Sequence, residues 1–171
     1  MRKPKSNENP SYYNRYIELI KSEDILAVLE NQNQEMHALL SRIGEEAAGF
    51  RYAPEKWSIK EVIGHVIDVE RIFAYRALRF ARNDKTPLAE FEEDDYVKNA
   101  NFDSRTLIDL GDEFRIVRES TSCMFASFED EIYDRIGTAS GFNFTVRAIP
   151  FIIAGHEAHH RKIIQEKYMN V

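Results

Sequence analysis

The segment His156-Glu157-Ala158-His159-His160 is the densest group of chemistry-bearing side chains in the sequence. His156 and His160 stand at i and i+4, so on a helix both imidazoles leave one face, one turn apart. That spacing lets two neutral imidazoles hold one divalent ion. A third histidine, His65, lies beside an apolar stripe of Val62, Val66 and Val69, at the edge of a core-facing helical surface. A helix bundle can bring it opposite the pair and complete a three-histidine site. His159 is rotated off the ligand face by the 3.6-residue period and reads as a neighbour of the ligands or a surface group. His37 has no partner and reads as exposed. Glu157 follows a ligand directly; it is a candidate catalytic base, or else an exposed carboxylate paired with Arg161 four residues on. Asp68, one turn after His65, is a candidate to orient a ligand or bound water.

The same five residues match the H-E-x-x-H pattern of zinc proteases. The longer metzincin form fails, because Ile163 stands where its turn needs Gly and Glu166 where it needs His. An all-helical chain also lacks the edge strand that would hold an extended peptide. A di-iron carboxylate bundle needs Glu-x-x-His twice. Glu157 and His160 supply it once, and Val62 stands where a second copy would need Glu before His65. One ion on three histidines is the better fit.

Four helices must position these groups. The first spans residues 22–43, capped by Ser22, with Leu26, Leu29, Met36, Leu39, Leu40 and Ile43 near the helical period. Ser58 and Glu61 form a capping box that opens the second, which runs to about Ala81, with Trp57 placed to pack one turn on. Residues 84–102 read as a long acidic connection whose Glu92 and Asp94 could cover a cleft. The third helix runs from residue 103 or 104 to 128 with Leu107, Leu110, Phe114, Val117, Thr121, Met124 and Phe128 inward. Cys123 falls near that inward face and reads as core packing. Residues 134–144 read as a glycine-bearing loop, and the fourth helix runs from near Thr145 to about Tyr168 with a bend at Pro150. Residues 1–21 form an irregular arm whose Tyr12, Tyr13 and Tyr16 could pack on the body or on a partner. The domain reading is an arm over 1–21 and a single all-α bundle over 22–171.

Composition narrows the function classes. The 171 residues are 43% hydrophobic and 12% aromatic, which is enough for one domain with a sizeable core. Lys and Arg number 23 against 29 Asp and Glu, giving −6 with no basic block, so nucleic acid is not an expected partner. One Cys excludes an internal disulfide framework and a cysteine-rich zinc site. Residues 1–21 lack an apolar signal region, and the longest apolar run, near 148–155, is far short of a membrane span. These features predict a soluble, cytoplasmic protein with a small-molecule substrate.

Residues 57–82, WSIKEVIGHVIDVERIFAYRALRFAR, resemble the second helix of the DinB-like family, the YfiT-type metal-binding four-helix bundles. KTPLAEFEEDDYV, NFDSRTLIDL, TVRAI and IIAGHEAHHRKI are similar to the same family, and the resemblance covers about residues 22–168. It implies metal ligands at His65, His156 and His160, an antiparallel bundle with up-down-down-up connectivity, a homodimer, and a site in a cleft at one end of the bundle. Characterised relatives include bacillithiol or mycothiol S-transferases and a mycothiol-dependent isomerase. The resemblance therefore implies a thiol-dependent S-transferase acting on small electrophiles, with a low-molecular-weight thiol as cosubstrate. The alternatives are a metal-dependent hydrolase and a non-catalytic metal- or small-ligand-binding stress protein. Three neutral imidazoles leave the ion its charge and its open positions. Zinc suits such a donor set best, with nickel, iron(II) and manganese also open.

Overall fold

Helices begin where side chains satisfy the orphan N–H groups of a first turn. The computed structural model describes residues 1–169. A single turn, α1 (Asn14–Ile17), precedes the first long helix, α2 (Ile25–Leu40). Asp24 caps α2 through Ala27 N, two residues beyond the expected cap; the Ser22 hydroxyl accepts from Asp24 N instead. Ser58 and Glu61 form the reciprocal box that opens α3 (Ile59–Ala81). The acidic connection is not merely a loop. It carries α4 (Glu93–Ala100), whose first turn places Glu93, Asp94 and Asp95 at the positive end of the helix dipole. Thr106 caps α5 (Leu107–Ala126), which starts later than residue 103 or 104.

The expected loop at 134–144 is largely a hairpin. β1 (Ile136–Ala139) pairs antiparallel with β2 (Phe142–Thr145). Ser140 and Gly141 join them with φ of 52° and 78°, the positive values that a two-residue type I′ turn requires. Leu88 runs beside Ala139, donating to Thr138 O and accepting from Ser140 N, which ties the connection after α3 to the hairpin. The last helix, α6 (Ala148–Ile163), continues as one π turn to Tyr168. Pro150 is its third residue, where an N–H has no intrahelical acceptor to lose, so the expected bend is not required.

The long helices α2, α3, α5 and α6 form the bundle. The pairs in contact are α2 with α5, α5 with α3, α3 with α6, and α6 with α2. Of the helices consecutive in the chain, α2 and α3, and likewise α5 and α6, are therefore diagonal, so their connections cross the bundle, whereas α3 and α5 pack side by side. Two apolar clusters fill it. One holds Leu29, Phe73, Phe80, Phe125 and Phe151; the other holds Met36, Ile63, Leu110, Phe114 and Ile164. Between them every helix contributes a polar group. Arg118 (1% exposed) donates to both oxygens of Glu70 (2% exposed) at 2.8–3.0 Å and to Gln32 Oε1 at 3.0 Å. Gln32 Nε2 in turn reaches Ala154 O on α6 at 2.8 Å. Cys123 is exposed rather than packed inward, because the inward face of α5 runs through Phe114, Arg118, Thr121 and Phe125. Among the described residues no helix is long and apolar enough to cross a membrane.

Removing one member of a buried, hydrogen-bonded ion pair strands its partner, at about 3–5 kcal/mol. Arg118→Ala should therefore lose about that much in urea unfolding, while Glu70→Leu combined with Arg118→Met should recover most of it. Equal loss in the single and double variants would mean that the pair does not carry this stability.

Candidate metal centre

The first ten residues of α6, through Glu157, are all buried, His156 among them, and His159 and His160 are half-buried. His156 (7% exposed) lies opposite His65 (4% exposed) of α3, and His160 follows one turn along α6. His156 Nε2 is 3.1 Å from His65 Nε2 and 3.1 Å from His160 Nε2. One ring nitrogen from each of the three, a candidate donor, lies within 4.8 Å of the other two. Nitrogens bound to one tetrahedral ion at about 2.0–2.1 Å would sit roughly 3.3 Å apart, so the donor set fits a single divalent ion with little movement.

Electrostatics keeps these nitrogens available. Burial holds the His65 imidazole down at about 4. Burial, and then the neighbouring His65 and His159, bring His160 to about 2. His156 is held well below its ordinary value by burial first and by the other histidines second. Neutral imidazole is the form that ligates.

Aromatic groups shape the surroundings. The Trp57 ring lies 4.6 Å from that of His65 and also packs against the apolar cluster that holds Val62. Tyr16 sets its edge against His156 and His159, each at 5.4 Å. The arm thus packs on its own bundle: Tyr16, Ile17 and Ile20 are buried, and Tyr13 meets Phe73 and Phe144. Gly155 makes this approach possible, because a Cβ there would run into the Tyr16 carbonyl. Burial pushes the Tyr16 hydroxyl up to about 12, and Arg15 donates to it at 2.8 Å. A cavity of about 380 Å³ opens above the three histidines. The acidic connection does reach it, but through Glu90, Phe91 and Glu93 rather than Glu92 and Asp94.

The other sequence candidates fall outside this geometry. Glu157 is fully buried, not exposed, and does not line the cavity. One residue on from His156, the helical step of about 100° carries it toward Arg161 at 2.8 Å, which also holds Glu35 of α2. Burial raises its carboxyl to about 7 against the pull of Arg161 and Arg118. Asp68 is also absent from the cavity wall and lies among Arg71, Glu113 and Arg105. His37 is exposed on α2, away from the site. His159 is half-buried and lines the cavity, as do Arg15, Tyr16 and Trp57, residues the sequence left unassigned to the site.

These protonation states fix a pH response. In the unfolded chain each histidine takes a proton near pH 6.5, whereas in the fold His65 refuses it until about 4, His160 until about 2 and His156 until well below its ordinary value, so each loses about 1.4 kcal/mol per pH unit as acid increases between those limits. Glu157 has the opposite sign: its contribution is full below the ordinary carboxylate value and is lost as pH rises through about 7. Three histidines outweigh one carboxyl. Chelator-treated protein should lose stability from pH 6.5 to 4.5 more steeply than His156→Ala does, as read by urea midpoints. Parallel curves would contradict this assignment.

Comparison with known proteins agrees with this architecture. No curated protein matches the chain. Among solved structures, it superimposes on YfiT from Bacillus subtilis with a TM-score of 0.77 at 13% identity, covering 98% of this chain and 92% of that one. That protein is described as "a probable metal-dependent hydrolase with an unusual four-helix bundle topology". The DinB superfamily profile matches residues 29–164, which include all three histidines. The chain belongs to the DinB superfamily and has the four-helix bundle fold of YfiT.

Proposed function

We propose that this protein is a metal-dependent enzyme in which His65, His156 and His160 hold one divalent ion, zinc in the first instance, and a small nucleophile is activated against a small electrophile. The observation that carries this reading is the convergence of three neutral ring nitrogens below a cavity sized for a small molecule. When bound, such an ion lowers the pKa of coordinated water to about 7 and deprotonates a coordinated thiol outright. The leading reading is thiol S-transfer, which the family resemblance supports; the description of YfiT favours hydrolysis as the second. Either chemistry releases a proton into the cavity. Glu157 faces away from it, so we assign its acceptance to His159, kept neutral by burial first and by Arg15 and Lys162 second. Tyr16 and Trp57 fix the ligand rings and narrow the entry. A homodimer remains part of the proposal, without help from the arm, since Tyr13 and Tyr16 are engaged within the chain; light scattering that finds only monomer would remove it.

Protein purified without an affinity tag should carry one divalent ion per chain by elemental mass spectrometry. His65→Ala, His156→Ala and His160→Ala should each lower that content at least tenfold, about 1.4 kcal/mol or more in affinity, whereas His37→Ala should not. His159→Ala should keep the metal and lose turnover. Conjugation of small thiols to 1-chloro-2,4-dinitrobenzene should depend on all three ligands. Metal without thiol turnover would leave hydrolysis, assayed on p-nitrophenyl acetate, and retention of metal by every variant would refute the centre.

A further inference from the structure

His65, Val69 and Phe73 line the cavity from successive turns of α3, so it runs about 12 Å along that helix away from the histidines. Ser140 and Phe91 line it as well. About one turn past Phe73, the guanidinium of Arg76 reaches both from behind the wall. Its Nη2 donates to Ser140 Oγ at 3.0 Å, and the Phe91 ring centroid lies 5.7 Å from it. Ser140 and Phe91 therefore belong to the Phe73 end. Arg76 itself is 2% exposed and is not among the lining residues.

This contact fixes the sense of the Ser140 hydroxyl. A guanidinium keeps its protons and can only donate, so Ser140 Oγ is the acceptor. Among the described residues, its own proton has no acceptor; the bond from Arg76 is the one hydrogen bond that Oγ makes. The side chain is half-buried and lines the cavity, so that proton is left for whatever occupies this end. The backbone gives a second sign. Ser140 holds φ at 52° in the hairpin turn, a conformation that suits Asn, Asp or Gly better than serine. Residues held in such conformations cluster where a side chain is used.

Charge narrows what the hydroxyl would meet. Glu90 and Glu93 line the cavity and, among the described residues, neither has a basic nitrogen within 4.0 Å. The guanidinium among the lining residues, Arg15, donates to the hydroxyls of Tyr12 and Tyr16. A carboxylate at the Ser140 end would face two acids. A neutral acceptor avoids that repulsion and still takes the serine proton, and the rings of Tyr13, Phe73 and Phe91 suit a flat apolar body.

We propose that Ser140 determines specificity in this cavity: held by Arg76, its hydroxyl donates to a neutral carbonyl oxygen of the substrate, about 12 Å along α3 from the end that reacts at the histidines. The inference rests on the reading that this cavity is the substrate site, but it does not require the metal.

The probe 6-propionyl-2-(dimethylamino)naphthalene carries one carbonyl, and its emission moves to longer wavelength when that oxygen accepts a hydrogen bond. The compound 2-(dimethylamino)naphthalene has the same ring and no carbonyl. Both are titrated by fluorescence into chelator-treated protein. The carbonyl probe should bind wild type roughly threefold to tenfold more tightly than Ser140→Gly, the range of one neutral hydrogen bond, and its bound emission should lie at shorter wavelength in the variant. The carbonyl-free probe should bind the two alike. Glycine suits the left-handed turn, so Ser140→Gly should keep the wild-type circular dichroism, which separates lost binding from lost fold. Thr138→Ala, on the same hairpin but off the cavity wall, should change neither affinity nor emission. No saturable binding of the carbonyl probe, equal affinity in wild type and Ser140→Gly, or an equal loss in Thr138→Ala would overturn the proposal. If wild type binds no metal yet shows this dependence on Ser140, the enzymatic reading fails and this inference stands; metal binding without the dependence keeps the enzyme and removes the inference.

Discussion

The buried pair of Arg118 and Glu70 organises the bundle. It sits between two apolar clusters and engages three helices, and Gln32 extends it to the backbone of α6 at Ala154. Helices that pack through aliphatic side chains alone can slide or rotate by a residue with little penalty. A guanidinium that must meet both oxygens of one carboxylate and an amide of another helix permits far fewer arrangements. Fixed register matters here because Ala154 is two residues from His156. The same layer that ties α2, α3 and α5 together therefore sets the height of α6, which carries two of the three clustered histidines.

From that layer outward the site follows by geometry. His156 and His160 are one turn apart on α6, and His65 faces them from α3, a helix that contacts α6 directly. The walls come from segments with little regular structure of their own. The arm seats Tyr16 against His156 because Gly155 leaves room for its carbonyl. Leu88 and the hairpin hold the acidic connection against the end of α3, where Phe91 and Ser140 reach the cavity. The three histidines are thus held by helices and enclosed by loops, a division that suits a site needing fixed geometry and a shaped entry.

The three-histidine cluster was legible because it depends on local rules. An i,i+4 pair needs only the helical period, and His65 stood beside an evident apolar stripe. The capping box at Ser58 and Glu61 is equally local, and the structure places that helix start as expected. What escaped was long-range. Glu70 falls between Val66 and Phe73 on the inward face of α3, and Arg118 between Phe114 and Thr121 on that of α5. Opposite charges at two core positions were a readable signal, but their pairing depends on which helices become neighbours: α3 packs on α5, while α2 and α3, also consecutive, lie diagonal. The segment 134–144 read as a glycine-bearing loop because its strands are only four residues each, and Gly137 is covered by Phe80 from α3, a contact the local sequence does not show. For Glu157 the pairing with Arg161 was readable but its burial was not: one residue on from His156 is a 100° rotation in a helix, which turns the carboxylate into the interior.

The central claim is that three histidines of one bundle form a single metal centre. X-ray absorption on zinc-loaded protein tests it directly, since imidazole rings give a distinct outer-shell scattering pattern. The account requires three nitrogen ligands at about 2.0–2.1 Å with that imidazole signature, reduced to two in His65→Ala. A shell of oxygen ligands alone, or a spectrum unchanged by that substitution, would contradict it.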